Sequence, residues 1–207
     1  MKVVEFSTDS IPPEVLSDIE YLCQRAELEK VKPSSENMRL QDWQCTPNSL
    51  LYLLRKTNRF SCNQGLFTCL YDQTRLVALS GCYRSEWDQN VVIGGVRAWV
   101  IPEYRARYLQ ARWLLSAQKN WAYQNNCAVF CLSFNDYNKK LMNIITRSGK
   151  YQNKAKKGVG YTRPDFYDNF TLLQQKVMIQ YTPQWVVYQN LREYMVKWPF
   201  VEPNDVL

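Results

Sequence analysis

The chain has 207 residues, of which 46% are hydrophobic, and this is enough to form one large domain with a buried core. Its formal net charge is +7, and no apolar run approaches the roughly 20 residues that cross a bilayer, which excludes a membrane-embedded helical protein. The first residues lack the long apolar stretch of a secretory signal, so we expect a cytoplasmic protein.

The sequence contains no histidine and seven cysteines, and this limits the available chemistry. The cysteines are odd in number and form no Cys-x-x-Cys pair, which predicts buried thiols rather than a disulfide scaffold or a metal site. Without histidine, any catalytic acid or base must be a carboxylate, tyrosine, lysine, cysteine or water.

The first third of the chain has a helical pattern. Apolar residues recur at helical spacing over Ile11 to Lys30, after a possible cap at Ser10. Residues 31–48 are predicted to form a loop, and Ser49 to Lys56 a short helix. Three strands are predicted next, over Leu66 to Tyr71, Arg75 to Tyr83 and Val91 to Val100.

The second half alternates between helices and strands. A helix is predicted over Arg105 to Asn125, a buried strand over Cys127 to Phe134 and a second helix over Tyr137 to Ser148. The later predicted elements are strands at Phe170 to Tyr181 and Gln184 to Tyr188, separated by Thr182-Pro183, and a short helix at Leu191 to Lys197. Gly81 is expected to mark a bulge or a close approach of two segments.

This order predicts an α+β (mixed α/β) fold, with a central twisted, mostly antiparallel mixed sheet flanked by helices on both faces. We expect one domain over 1–207, with an N-terminal helical part over 11–56, a core over about 60–190 and an extension over 190–207. Aromatic side chains crowd the end of the chain and are expected to dock either on this domain or on a partner, as in an oligomer or a virion: Trp185, Tyr188, Tyr194 and Trp198.

The segment from Val96 to Leu115 predicts a strand, a sharp turn at Pro102 and the beginning of a helix. The unpaired N–H groups at a helix start attract phosphate. This turn has no glycine, whereas phosphate-cradling turns normally use glycine so that the backbone can approach the ligand.

The element order, together with Pro-Glu-Tyr-Arg at 102–105, resembles the GNAT superfamily of acyl-CoA N-acyltransferases. The resemblance implies acetyl-CoA as cosubstrate, with its pantetheine along the backbone of Ala98, Trp99 and Val100. Its pyrophosphate would lie on the loop formed by Arg105, Ala106, Arg107, Tyr108, Leu109 and Gln110. Arg105 matches the first position of the family pattern, while Tyr108 and Gln110 replace two small residues.

The resemblance continues at Asn138 and Gly149, which match a family Asn and Gly in spacing. Ile145 replaces the family Tyr that protonates the departing thiolate, and Lys150 replaces a Phe. The resemblance also implies that the strand ending at Val100 separates from the strand ending at Phe134.

The candidate bases are Glu86, Asp88 and Glu103, and Tyr151 or Cys131 could replace the missing acid. As catalytic residues we predict Glu103 and Asn138.

Three functions are compatible with these patterns. The first is an acetyl-CoA-dependent N-acetyltransferase that acts on a small-molecule or protein amine. The second is a non-catalytic GNAT-fold structural or interaction protein, and the abundance of Asn, Lys and Tyr hints at a phage source in a host cytoplasm or virion. The third is a nucleic-acid-binding module that uses the segment from Lys139 to Arg163, which contains eight basic residues and no acidic one.

Overall fold

The computed structural model describes residues 1–28, 52, 54–107, 110–134, 171–172, 177–179 and 182–193. Its α-helices α1 (Pro13–Leu28) and α2 (Ser116–Gln124) are described over their full length, and residues 54–56 and 191–193 are helical as well. Its strands are β1 (Lys2–Phe6), β2 (Gly65–Asp72), β3 (Arg75–Arg84), β4 (Val91–Val100), β5 (Val129–Phe134), β6 (Thr171–Leu172), β7 (Val177–Ile179) and β8 (Thr182–Asn190).

The strands lie in the order β1-β2-β3-β4-β5-β8-β6, and β7 pairs with the beginning of β8. Every pairing between the described strands is antiparallel except that between β4 and β5. A parallel pair needs a crossover connection, and the helical segment that ends with α2 supplies it. The predicted α+β fold with a mostly antiparallel mixed sheet is therefore confirmed.

Helices α1 and α2 cover opposite faces of the sheet, as their contacts with β2 show. Successive side chains of a strand point to opposite faces, so residues three apart lie on different faces. Tyr71 of β2 donates a hydrogen bond from its hydroxyl to Oδ2 of Asp18 on α1, at 2.9 Å. Thr68, three residues earlier, instead accepts a hydrogen bond from Gln118 on α2. Apolar side chains pack beneath both helices: Ile19 of α1 lies in a cluster with Phe67, and Ala122 of α2 lies in a cluster with Phe130.

Several elements differ from the predictions. The segment predicted as one helix over Arg105 to Asn125 is a 3-10 helix at Pro102–Arg107, a π-helix at Gln110–Leu115 and then α2. Thr182 and Pro183, predicted to separate two strands, begin β8 and pair with β7. Pro183 is compatible with a strand there because it lies near the strand start.

Other predictions fall outside the described residues. The helix at Tyr137 to Ser148, the loop at 31–48 and most of the C-terminal helix at Leu191 to Lys197 belong to this group, although residues 191–193 are helical. None of the helices within the described part of the chain has the length and apolar character needed to cross a membrane.

Candidate functional site

The parallel strands β4 and β5 pair over three residues only. Val91 pairs with Val129, Val92 with Phe130 and Ile93 with Cys131. Beyond Ile93, β4 continues to Val100 beside β3, while β5 continues to Phe134 beside β8. We call the region between the two strands beyond this last pair the β4–β5 opening.

The separation coincides with two irregularities in β4. At each irregularity, β4 contains one more residue than the stretch of β3 opposite to it. The first lies between the pairs Tyr83–Ile93 and Gly81–Val96, and the second between Gly81–Val96 and Leu79–Trp99. Each extra stretch contains a residue in the left-handed region, Gly95 with φ of 65° and Arg97 with φ of 52°. Such bulges bend a strand and increase its twist, which directs β4 away from β5.

Glycine is required where the strands part. A Cβ atom on Gly94 would lie 2.0 Å from Cζ of Phe130, and Phe130 is completely buried. Gly95 adopts a positive φ that other residues rarely tolerate. Two glycines inside a predicted strand are a recognisable signal of a bulge or close approach, but the sequence-based prediction gave this Gly-Gly pair no role.

A buried chain of hydrogen bonds holds Gly95 in place. Its N–H donates to Oε1 of Gln118 at 3.0 Å, and Nε2 of Gln118 donates to Oγ1 of Thr68 at 3.2 Å. Oγ1 of Thr68 in turn donates to the carbonyl oxygen of Ser80 at 2.8 Å. We call these four residues the polar chain. Sequence reasoning missed Gln118, whose signal was a polar residue one helical turn after the apolar Leu114.

The 3-10 helix at Pro102–Arg107, called the β4 turn below, lies at the open end of β4. Its position is fixed by Ile101, which is buried and whose N–H donates to the carbonyl oxygen of Val77 at 3.0 Å. The hydroxyl of Tyr104 donates to Asp72, which joins the β4 turn to the hairpin between β2 and β3. This arrangement places the first helical N–H groups after β4 at the end where β4 and β5 are apart.

Glu103, predicted as a catalytic base, forms an ion pair with Arg75 of β3. The distance from its Oε1 to Nη2 of Arg75 is 3.3 Å, and both side chains are about half exposed. Since β3 lies on the side of β4 opposite to β5, this ion pair holds the carboxylate on the outer side of the β4 turn. Its role as a base stays a prediction.

The other candidate bases lie at the far end of β4. Glu86 and Asp88 belong to the loop between β3 and β4, which precedes Val91. Oε1 of Glu86 accepts hydrogen bonds from Arg59, and Oδ1 of Asp88 accepts one from the N–H of Asn90 at 2.9 Å. The length of β4 therefore separates both carboxylates from the β4 turn.

Cys131 lies at the apex of the β4–β5 opening, in the last pair with Ile93. Burial raises the pKa of its thiol from 9.0 to about 11. A thiol in water has a lower pKa, so moving a proton from Cys131 to a departing thiolate would be uphill. This argues against Cys131 as the replacement acid.

The structure describes the remaining candidates to different extents. Ala98, Trp99 and Val100 are the last three residues of β4 and are partly exposed. The backbones of Arg105, Ala106 and Arg107 lie in the β4 turn, and that of Gln110 begins the π-helix. Outside the described residues are Tyr108, Leu109, Asn138, Ile145, Tyr151 and the basic segment Lys139 to Arg163. Among the described side chains, no three Cys, Asp or Glu form a group able to hold a metal ion.

No protein-family model matches the sequence, and no curated protein matches it. The fold does have solved counterparts. A variant of spermidine N-acetyltransferase SpeG from Vibrio cholerae has a TM-score of 0.55 at 12% identity, with 95% of this chain and 99% of that chain covered. The PaiA N-acetyltransferase of Thermoplasma acidophilum, in complex with coenzyme A, has a TM-score of 0.54 at 13% identity, with 92% and 99% covered.

A third structure, from Desulfovibrio desulfuricans and described as an acetyltransferase of the GNAT family, has a TM-score of 0.52 at 9% identity, with 92% and 99% covered. At such identities the likeness concerns the fold alone. With the mixed sheet, the flanking helices and the parting of β4 from β5, it shows that this chain has the GNAT-type α+β fold.

Proposed function

We propose that this protein is an N-acetyltransferase that transfers the acetyl group of acetyl-CoA directly to an amine. The observation that carries the proposal is the parallel pair of β4 and β5, which ends after three residue pairs. Two of the similar proteins are named as N-acetyltransferases, and one of these holds coenzyme A. Both facts concern those proteins, and they support the proposal by analogy of fold.

The described residues fit such a cosubstrate in two respects. First, the backbone pairing of β4 with β5 ends at Ile93 and Cys131, and an extended pantetheine would lie between the two strands beyond this pair. Second, the β4 turn carries Arg105 and Arg107, and the negative charge of Glu103 in the same turn is balanced by Arg75. Guanidinium groups bind phosphate well without a glycine-rich loop.

We assign each candidate residue a role on this basis. The backbone of Ala98, Trp99 and Val100 aligns the pantetheine, the side chains of Arg105 and Arg107 bind phosphate, and the remaining contacts come from Ala106, Tyr108, Leu109, Gln110 and Asn138. Acetyl-CoA supplies an acetyl group activated as a thioester, and the protein must take up the proton that the amine loses. Glu103, the candidate carboxylate nearest to the open end of β4, receives this proton through water, and Asn138 orients the reacting groups.

Calorimetry with acetyl-CoA tests the binding step. We expect saturable micromolar binding that weakens at least about tenfold in Arg105→Ala, since each charge-assisted hydrogen bond contributes about 1.5–3 kcal/mol. The matched control is Arg192→Ala, which removes an exposed arginine just after β8 and should bind normally. Absence of binding at millimolar acetyl-CoA, or equal effects of both substitutions, would contradict the proposal.

The transfer step is tested with a panel of amines, including spermidine, peptide N-termini and lysine side chains. Formation of acetylated product is followed by mass spectrometry, because free cysteines of this protein would disturb a thiol assay. Product formation that requires both acetyl-CoA and one of these amines supports the enzyme. Binding of acetyl-CoA without any acetylated product supports the second candidate instead.

That second candidate is a GNAT-fold protein with a structural or interaction role and no catalysis. The ion pair between Glu103 and Arg75 favours it, because this contact gives Glu103 a structural role in holding the β4 turn. The replacement of the family Tyr by Ile145 favours it as well.

A further inference from the structure

The polar chain crosses the apolar core between α2 and the sheet. Gln118 and Thr68 are completely buried, and Gly95 is partly buried. Hydrocarbon groups lie close to Gly95: the Cδ2 atoms of Leu132 and Leu115 are 3.2 and 3.9 Å from where a Gly95 Cβ would be. Buried polar groups are costly unless they are paired, so a glutamine kept at this position requires its hydrogen bonds.

The hydrogen bonds determine the orientation of the Gln118 amide. The N–H of Gly95 can only donate, so it must face the carboxamide oxygen. Thr68 Oγ1 gives its own proton to the carbonyl oxygen of Ser80 and therefore accepts from Nε2 of Gln118. This orientation of the amide satisfies the N–H of Gly95, the carboxamide of Gln118 and the hydroxyl of Thr68 together. The opposite orientation would place the Nε2 hydrogens of Gln118 against the N–H of Gly95.

The polar chain acts at the place where β4 leaves β5. Gly95 is the second residue after Ile93, the last residue of β4 that pairs with β5. Without an acceptor on α2, the N–H of Gly95 would either stay unsatisfied or turn to a carbonyl of β5. The second outcome would extend the parallel pairing and narrow the β4–β5 opening.

We propose that Gln118 is a positioning residue for the acetyl transfer: its hydrogen bond to Gly95 holds the bulge that keeps β4 apart from β5 and aligns the backbone of Ala98 to Val100. This inference rests on the proposed function. Gln118 acts through β4 and needs no contact with acetyl-CoA. Small displacements of aligned groups reduce catalysis strongly, by about 100-fold for 1 Å.

The test compares kcat and KM in Gln118→Met, which keeps the length of the side chain and removes both hydrogen bonds. We expect kcat to fall about 10- to 100-fold while KM for acetyl-CoA stays within about threefold, because phosphate binding at the β4 turn is retained. Gln118→Glu, protonated at this completely buried position, supplies an acceptor for Gly95 and a donor for Thr68 and should recover most of kcat. The matched control is Ser116→Ala, which removes a buried hydroxyl of the same helix that has no hydrogen-bond partner among the described residues.

Amide hydrogen exchange of Gly95 provides a readout that does not depend on activity. Its protection factor should fall at least about tenfold in Gln118→Met and remain unchanged in Ser116→Ala. If Gln118→Met does not fold, Thr68→Val takes its place, because valine has nearly the shape of threonine but cannot accept the hydrogen bond from Gln118. We expect Thr68→Val to lower kcat and the protection of Gly95 in the same direction, by smaller factors.

The outcomes separate this inference from the proposed function. Lack of acetyl-CoA binding in the unaltered protein overturns both the function and the positioning role. An active unaltered protein whose Gln118→Met variant keeps kcat within about threefold overturns the positioning role alone. If Gln118→Met lowers the thermal stability but leaves kcat per folded molecule unchanged, Gln118 is only structural, and this too overturns the positioning role.

Discussion

Ile93 of β4 and Cys131 of β5 form the last backbone pair between the two parallel strands, and each strand then follows a different partner. The strands separate within the next two residues of β4, because Gly94 has no Cβ to clash with the ring of Phe130 and Gly95 adopts a positive φ. The geometry of the candidate site thus depends on how Gly94, Gly95 and Phe130 pack.

The first prediction concerns this packing. Gly94→Ala places a methyl group against the buried ring of Phe130, so we expect a loss of about 1–3 kcal/mol in the free energy of unfolding, measured with urea. Adding Phe130→Leu to Gly94→Ala should cost less than the sum of the two single substitutions, because the smaller side chain makes room. Additive effects would show that the ring and the glycine are not coupled.

The second prediction concerns Arg84, which holds three loops at the end of the sheet away from the β4 turn. Its guanidinium donates to the carbonyl oxygens of Asn63, Gln89 and Asn125 at 2.8, 2.7 and 2.7 Å. Arg84→Lys cannot supply three donors in one plane, so we expect a loss of about 1–3 kcal/mol in stability with unchanged acetyl-CoA affinity.

The control for Arg84 is Arg55→Ala, which removes an exposed ion pair with Glu20. Exposed pairs contribute about 0–1 kcal/mol, so this variant should unfold almost like the original protein. An equal loss in both variants would contradict the role given to Arg84.

The third prediction separates two roles of Glu103. If it accepts the proton of the amine, Glu103→Gln should lower kcat at least about 100-fold and remove the limb of the pH profile that reports the base. Arg75→Gln breaks the same ion pair and leaves the carboxylate in place, so its kcat should stay within about threefold. Equal losses in both variants would mean that Glu103 only holds the β4 turn.

The fourth prediction concerns pH and stability. Since burial raises the pKa of the Cys131 thiol from 9.0 to about 11, the unfolded chain loses this proton at lower pH than the folded one. The protonated Cys131 therefore stabilises the folded state. Its contribution to the free energy of unfolding is complete below pH 9 and declines by about 1.4 kcal/mol per pH unit between pH 9 and 11. Burial also raises the pKa of Cys82, which adds to the decline.

Urea unfolding at several pH values isolates the contribution of Cys131. The free energy of unfolding of Cys131→Ala should fall less steeply between pH 9 and 11 than that of the unaltered protein. Parallel curves for Cys131→Ala and the unaltered protein would contradict the raised pKa of Cys131.

The sequence predicted the central strands well because their apolar runs are long and bounded by turn residues. β2, β3 and β4 begin and end within one residue of the predicted bounds. It did not predict β1, whose five residues form a strand by pairing with β2, where the paired residues are more than 60 positions apart in the sequence. Such pairing depends on the tertiary fold and leaves little local pattern.

The site was predicted only in part, for the same reason. Family resemblance indicated that the strand ending at Val100 would part from that ending at Phe134, and the structure confirms this separation. The orientation of Glu103 toward Arg75 depends on a contact across 28 residues of sequence, and the pairing of Gln118 with Gly95 on one across 23. A local pattern can mark Gln118 as a polar residue on an apolar helix face, but it does not specify the partner of either side chain.

A crystal structure of the protein grown with acetyl-CoA tests the central claim most directly. We predict that the thioester arm lies between β4 and β5 beyond Ile93 and Cys131, with the pyrophosphate at the β4 turn beside Arg105. Acetyl-CoA bound elsewhere on the molecule, or continuous pairing of β4 with β5 up to Val100 and Phe134, would contradict the account.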